Sequence, residues 1–232
     1  MNKTLERLTA RMPINWQQTL KRHLYAWRIR TGRFDAGELE YDLLSEMVSP
    51  GDWAVDIGAN IGTYTLRLSD LVGATGRVIA FEPVPHTFEL LASNVCATRR
   101  SNVTLINAAL SDSHRVVGMD VPTGGVAGSA NYYQAHLSAD GALQVICLPF
   151  DALQITAPIR LVKIDAEGHE LSVLKGMSGI LQRDHPTLII EGDNAQVEQF
   201  LSDLGYGFRQ LPGSWNRIFT PITGRIANSN SA

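Results

Sequence analysis

The sequence predicts an α/β fold: an open sheet of five parallel strands closed by a C-terminal antiparallel hairpin, with helices on both faces and an N-terminal helical arm. Three observations carry this. From Trp53 onward, short apolar runs alternate with stretches of helical period, which is the pattern of a parallel sheet. The first run ends in a small-residue turn, Gly58-Ala59-Asn60-Ile61-Gly62, and the second ends in an acid, Glu82, 20 residues beyond Gly62. The last two runs, 208–211 and 217–220, are joined by Pro212-Gly213-Ser214, a hairpin-length link that turns the final strand antiparallel to its neighbour.

Taken in order, residues 1–48 are the arm, with Trp16, Leu20, Leu24 and Trp27 at helical spacing and a second helix ending near Met47. Ser49-Pro50-Gly51-Asp52 is a turn, and the main domain runs from 49 to 222. Strand one, 53–57, leads into a helix from Thr63 to about Leu71. Strand two, 77–82, leads into a helix starting near Pro85, whose fixed φ suits a first turn and whose Phe88, Leu91 and Val95 form the buried face. Strand three, Val103 to Ala108, runs into Leu110-Ser111-Asp112. The insertion at about 113–150 lacks a helical period and reads as extended segments around a loop, Gly124 to Asn131. Strand four, 160–165, is followed by a helix from Glu167 to Lys175 stopped by Gly176, then by strand five, 187–191. A helix over 194–204 ends at Gly205, and the tail 223–232 is polar.

At 232 residues and 44% hydrophobic, the chain has material for one substantial core. No apolar run approaches the ~20 residues that span a bilayer, and no signal-peptide pattern follows the start, so a cytoplasmic protein is expected. Cys96 and Cys147 fit neither a metal-ligand spacing nor a disulfide framework. Net charge is −3 but lopsided: eight basic residues and one acid through Arg33 give residues 1–33 a charge of +7 and leave −10 for the remainder. A basic amphipathic helix can lie on an anionic membrane, meet another subunit or receive an anionic substrate. Such stripes are usually core, so Trp16, Leu20, Leu24 and Trp27 are expected to dock on the chain's own domain, with the charges as the solvated face.

The glycine turn lets a ligand approach the backbone, and the acid at the next strand end can accept hydrogen bonds from both hydroxyls of a ribose. A turn of the form Gly-x-Asn-x-Gly is not the Gly-x-Gly-x-x-Gly that packs a pyrophosphate, and Asp56 before it would repel one. S-adenosylmethionine, with a sulfonium, an amino group and a ribose, fits better than a dinucleotide.

With these segments in order, the chain resembles the FkbM family of S-adenosylmethionine-dependent O-methyltransferases. The matching pieces are 55–64, Phe81-Glu82-Pro83, Ala109-Leu110-Ser111-Asp112, the segment from Val162 to Glu170, Leu174-Lys175-Gly176 and the segment from Pro186 to Glu191. The resemblance implies a seven-stranded Rossmann-like methyltransferase sheet and methylation of a hydroxyl on a small-molecule, sugar or natural-product acceptor. By position it assigns Asp56, Gly58, Asn60 and Gly62, with Thr63 beside them, to the methionine half of the cofactor and Glu82 to the ribose. It places Asp112, with Ser111 before it, beside the adenine amino group; a loop-capping role is the alternative for Asp112. A non-catalytic cofactor-binding subunit and an NAD-dependent oxidoreductase are the rival functions.

Strand four is expected to be buried on both faces, yet it carries Lys163 and Asp165 on one side, so the lysine needs Asp165 or Glu191 as a partner. Methyl transfer to an alcohol requires an aligned oxygen and a base for its proton. Glu167 is the first candidate for base or orienter, His169 the second, and Glu170 is expected to cap or pair. Asp165, Glu167 and Glu191 could together hold Mg²⁺, but a neighbouring ammonium disfavours a divalent metal. Nucleic acid is an unlikely partner, because the domain is acidic and lacks an Asn-Pro-Pro-Tyr-type motif. The loop, with Ser129, Asn131 and Tyr132, and the arm are expected to recognise the acceptor over the ends of strands four and five.

Overall fold

The computed structural model describes residues 14–122 and 134–222. Its elements follow the chain as α1 (Ile14–Arg30), α2 (Leu39–Met47), β1 (Trp53–Ile57), α3 (Thr63–Val72), β2 (Arg77–Phe81), α4 (Pro85–Ala97), β3 (Val103–Ile106), β4 (Ala109–Leu110) and β5 (Arg115–Asp120). Then come β6 (His136–Leu137), β7 (Leu143–Leu148), a 3-10 turn (Phe150–Leu153), β8 (Ile159–Ile164), α5 (Glu170–Gly176), α6 (Ser178–Asp184), β9 (Thr187–Glu191), α7 (Ala195–Asp203), β10 (Tyr206–Gln210) and β11 (Asn216–Pro221).

The main sheet has seven strands in the order β10-β11-β9-β8-β1-β2-β3. β3, β2, β1, β8 and β9 are parallel to their neighbours, and β11 is antiparallel to both β9 and β10. This is the expected seven-stranded plan, including the closing hairpin. Alternation along the strands divides the core. Val55, Ile57, Val162, Ile164, Leu188 and Ile190 face α5, α6 and α7, whereas Ala54, Val78, Leu161 and Ile189 face α2 and α3. With both faces covered, the strands read as continuous apolar runs, and any charge among them has to be paired.

Several boundaries differ from the sequence reading. Strand three stops at Ile106, and Ala109–Leu110 instead joins a second sheet of four strands, β4-β7-β5-β6, built from the segment read as extended pieces around a loop. The helix expected from Glu167 begins at Glu170, because Glu167 and Gly168 take φ of +47° and +91°, outside the helical region. A helix over Ser178–Asp184 was not anticipated.

The arm docks, but not by the expected stripe. Gln18 and Tyr25 are the buried residues of α1: Gln18 donates to the His86 carbonyl at 3.3 Å, Arg22 pairs with Glu89 at 3.3 Å, and Tyr25 meets Phe34 edge-on at 5.8 Å. Trp16, Leu20 and Trp27 lie on the opposite face and are 69%, 42% and 45% exposed. Helical period shows which residues share a face; here a polar and aromatic face won the contact with α4. The loop Gly124 to Tyr133 with Ser129, Asn131 and Tyr132, the tail from 223 and the first 13 residues lie outside the described residues.

Candidate active site

The site forms where the parallel strands end. Gly58 and Ala59 turn β1 outward, and both donate backbone N–H bonds to the Phe81 carbonyl, at 3.0 and 2.9 Å. Gly58 takes φ +73°, and a Cβ on it would stand 1.9 Å from the Asp165 carbonyl oxygen, so glycine allows β1 and β8 to close together here. Asn60 takes φ +50°, a conformation asparagine tolerates, and aims its N–H at Glu82 Oε2, 2.9 Å away. Val84 N–H binds the other oxygen, Oε1, at 2.9 Å. Glu82 is thus fixed, and burial pushes its carboxyl up to about 7 against the pull of those two bonds.

Glu82 is one wall of a cleft floored by Ile57, Phe81 and Leu110. Gly58 and Asn60 line it beside Glu82, Met119 and Leu137 enter from the second sheet, and Asp165, Glu167 and His169 close the far side. Asp56, Gly62 and Thr63 are not in this lining. Asp56 lies beneath the turn, 2% exposed, accepting a 2.5 Å bond from Thr65 Oγ1, and burial raises it to about 6. Gly62 caps α3 with φ +92°, and Thr63 is that helix's first residue.

Ser111 and Asp112 also stand outside the lining, around His169. Ser111 Oγ is 3.0 Å from His169 Nε2 and accepts from Arg115 Nη2 at 3.1 Å. Asp112 binds Ser111 and Ser113 through its Oδ1 and pairs with Arg115 at 3.6 Å, which is the loop-capping arrangement. Burial, then the Arg115 charge, holds the His169 ring below the usual histidine range.

Lys163 is buried on the α2–α3 side of the sheet, in register with Asp56 on β1. Its Nζ lies 3.2 Å from Asp165 Oδ2 and 5.3 Å above the Tyr64 ring. The pairing of β8 with β9 brings Glu191 alongside Asp165. A hydrogen bond with Asp165, then burial, raises the Glu191 carboxyl to about 7, with Lys163 opposing. Together with Glu167, Glu170 and Asp193, these acids line a second opening that shares Asp165 and Glu167 with the cleft. Burial first, then Asp165, also raises Glu167, while Glu170 accepts the Gly168 N–H at 2.9 Å as a turn cap. Among the described residues no three acids, histidines or cysteines stand as a metal-holding group, so Asp165, Glu167 and Glu191 do not converge in that way.

Sequence reasoning missed the network behind Lys163. Tyr64 donates to Glu38 Oε2 at 2.6 Å, and Asn216, the register partner of Glu191, donates to the same oxygen at 2.9 Å. Tyr64 was legible only as the residue ending the first motif. Glu38 and Asn216 are separated by 178 positions, and no local pattern joins them.

The cleft suits S-adenosylmethionine. Each Glu82 oxygen keeps a lone pair beyond its backbone bond for a ribose hydroxyl, the floor is apolar, and among the described residues no lysine or arginine lines it to attract a pyrophosphate.

Comparison with known proteins agrees. The model of the methyltransferase FkbM domain matches residues 56–208, more than half of the chain. A hexuronic acid methyltransferase, AglP of Haloferax volcanii, is 31% identical over 159 residues, which are 67% of this chain and 62% of that protein. The crystal structure of methyltransferase FkbM from Methylobacillus flagellatus superposes with a TM-score of 0.56 at 20% identity, covering 75% of this chain and 44% of that one. A putative methyltransferase from Streptococcus mutans in complex with SAH gives 0.51 at 16% identity, covering 79% and 96%. The two structural likenesses concern the fold, and the chain spans under two thirds of both the Haloferax and the Methylobacillus proteins. The match over 56–208 spans the strand ends that build the cleft, and by it the chain belongs to the FkbM methyltransferase family.

Proposed function

We propose that the protein transfers a methyl group from S-adenosylmethionine to a hydroxyl of a sugar. The carrying observation is that the Glu82 cleft and the acidic opening meet at Asp165 and Glu167, so a cofactor in one and a hydroxyl in the other share a boundary made of carboxylates. When bound, S-adenosylmethionine supplies an electrophilic methyl group and leaves as a neutral thioether.

In this reading Glu82 holds the ribose, and Gly58 and Asn60 give the cofactor access to the backbone. Asp56 acts from below, bracing the turn through Thr65. As the new C–O bond forms, the hydroxyl proton passes to the Asp165–Glu191 pair. Glu191, raised to about 7, is poised to accept a proton near neutral pH. Lys163 holds Asp165 in place, Glu167 orients the acceptor from its left-handed turn, and His169, held by Ser111, closes the cleft. The sugar acceptor is suggested by the Haloferax relative, which is named for a hexuronic acid. Residues 1–48 and 49–222 are proposed as arm and catalytic domain. The loop at 124–133 is proposed to recognise the acceptor with its hydroxyl and amide groups. α1 contributes no residue to the lining of either opening.

The test is incubation of the protein with isotopically labelled S-adenosylmethionine and a panel of glycans, read by mass spectrometry. A labelled O-methyl group on a sugar, lost in Glu191→Gln, is expected. Label on nitrogen or carbon only, or tight NADH binding in place of S-adenosylhomocysteine, would remove the reading.

A further inference from the structure

The face of α1 turned away from the domain has no role in the cleft, yet its composition is specific. Trp16, Leu20 and Trp27 form a row along it, exposed, with Leu24 half-buried beside them. Cations border the row: the Arg33 guanidinium lies 5.5 Å from the Trp27 ring centroid, and Arg30 is exposed at the same end. Residues 14–33 contain five lysines and arginines and no acid, and Lys3, Arg7 and Arg11 precede them. No described helix is long and apolar enough to cross a membrane.

We propose that this face of α1 docks on an anionic lipid bilayer, lying in the interface with its axis along the membrane surface. Indole rings favour the headgroup boundary, where the ring meets acyl chains while its N–H stays hydrated. Each nearby lysine or arginine adds attraction to anionic headgroups. Charge complementarity also sets the orientation: residues 1–33 carry +7 and residues 34–232 carry −10, so an anionic surface draws α1 in and repels the body behind it. A second copy of the chain could answer the charges, but it would have to offer a groove for two indole rings projecting from a convex helix. A bilayer interface needs no groove. The docked side of α1, through Gln18, Arg22 and Tyr25, keeps the helix attached to the domain while its outer row is free to insert.

Flotation of the full chain with phosphatidylcholine vesicles, with and without phosphatidylglycerol, tests this. Binding is expected only to the anionic vesicles, to fall at high salt, and to bring tryptophan emission under quenching by brominated lipid. The double variant Trp16→Ser/Trp27→Ser should lose on the order of tenfold or more in partitioning, with circular dichroism and S-adenosylhomocysteine binding kept. Arg30→Glu/Arg33→Glu probes the charges independently and should also release the protein. No flotation with anionic vesicles overturns the proposal, as does flotation indifferent to both variants. A concentration-dependent dimer abolished by the tryptophan variant would give the face to a second copy. Oligonucleotide binding that needs the same residues, without lipid quenching, would give it to nucleic acid.

Discussion

Lys163 owes its position to three neighbours: Asp165 at 3.2 Å, the Tyr64 ring at 5.3 Å, and the in-register Asp56. Its charge lowers the Glu191 pKa, so Lys163→Met is expected to move the alkaline rise of kcat to higher pH, by roughly one pH unit, while cofactor affinity holds. A pH–rate profile measures this, and an unmoved profile would separate Lys163 from the base. Glu191→Gln should lower kcat about 10²- to 10⁴-fold, the usual worth of a general base. Glu82 gives the second residue-scale prediction. A ribose hydroxyl donates to the ionised carboxylate, so S-adenosylhomocysteine affinity should rise as pH climbs through about 7. Glu82→Gln should flatten that dependence and weaken binding by ~1.5 to 3 kcal/mol, or roughly ten- to a hundredfold, by calorimetry. The sequence named Lys163, Asp165 and Glu191 as neighbours, since side chains two apart on a strand share a face. It could not show that Glu38, Tyr64 and Asn216 stand behind them, because that network joins α3, β11 and the residue before α2 across long separations.

At the scale of elements, the turn after β1 depends on close approach. Gly58→Ala would drive a Cβ against the Asp165 carbonyl, 1.9 Å away, at a φ that side chains avoid. We expect a loss of about 2 kcal/mol or more, seen as a lowered Tm, together with weakened cofactor binding, because β1 and β8 must part to relieve the clash. Gly176 stands in the same relation to Ser111, with a Cβ position 1.9 Å from the Ser111 carbonyl oxygen. That contact joins α5 to the entry of the second sheet. The left-handed residues Glu167 and Gly168 explain why the expected helix starts late: they form the turn that delivers Glu167 to both openings before α5 begins.

For the whole molecule, stability should vary with pH in a direction set by three acids held above their ordinary range. Asp56, Glu82 and Glu191 are raised to about 6, 7 and 7 from ordinary values of 3.8, 4.5 and 4.5. Between those limits the folded protein binds more protons than the unfolded chain, so their contribution is present below the ordinary values and is lost as pH rises through about 7. Denaturant midpoints across this range should show it, and Glu82→Gln should remove part of the slope. Turnover should survive EDTA, since Lys163 already compensates Asp165; loss restored by Mg²⁺ would assign the carboxylates to a metal.

The amino-acid sequence by itself determined the order of the main-sheet strands, the closing hairpin, and the turn and acid that line the Glu82 cleft. These are written in local period, in glycine spacing and in motifs a few residues long. Only the tertiary structure decided which face of α1 is buried, that 109–148 folds as a second sheet, and that Asp112 turns to Arg115. The first two are choices among partners distant in sequence. A helix periodic in both Trp16, Leu20 and Trp27 and in Gln18 and Tyr25 has two faces to offer, and the shape and charge of α4, through His86 and Glu89, selected one. Side-chain complementarity between separated elements made that selection, and the pattern within one helix does not contain it.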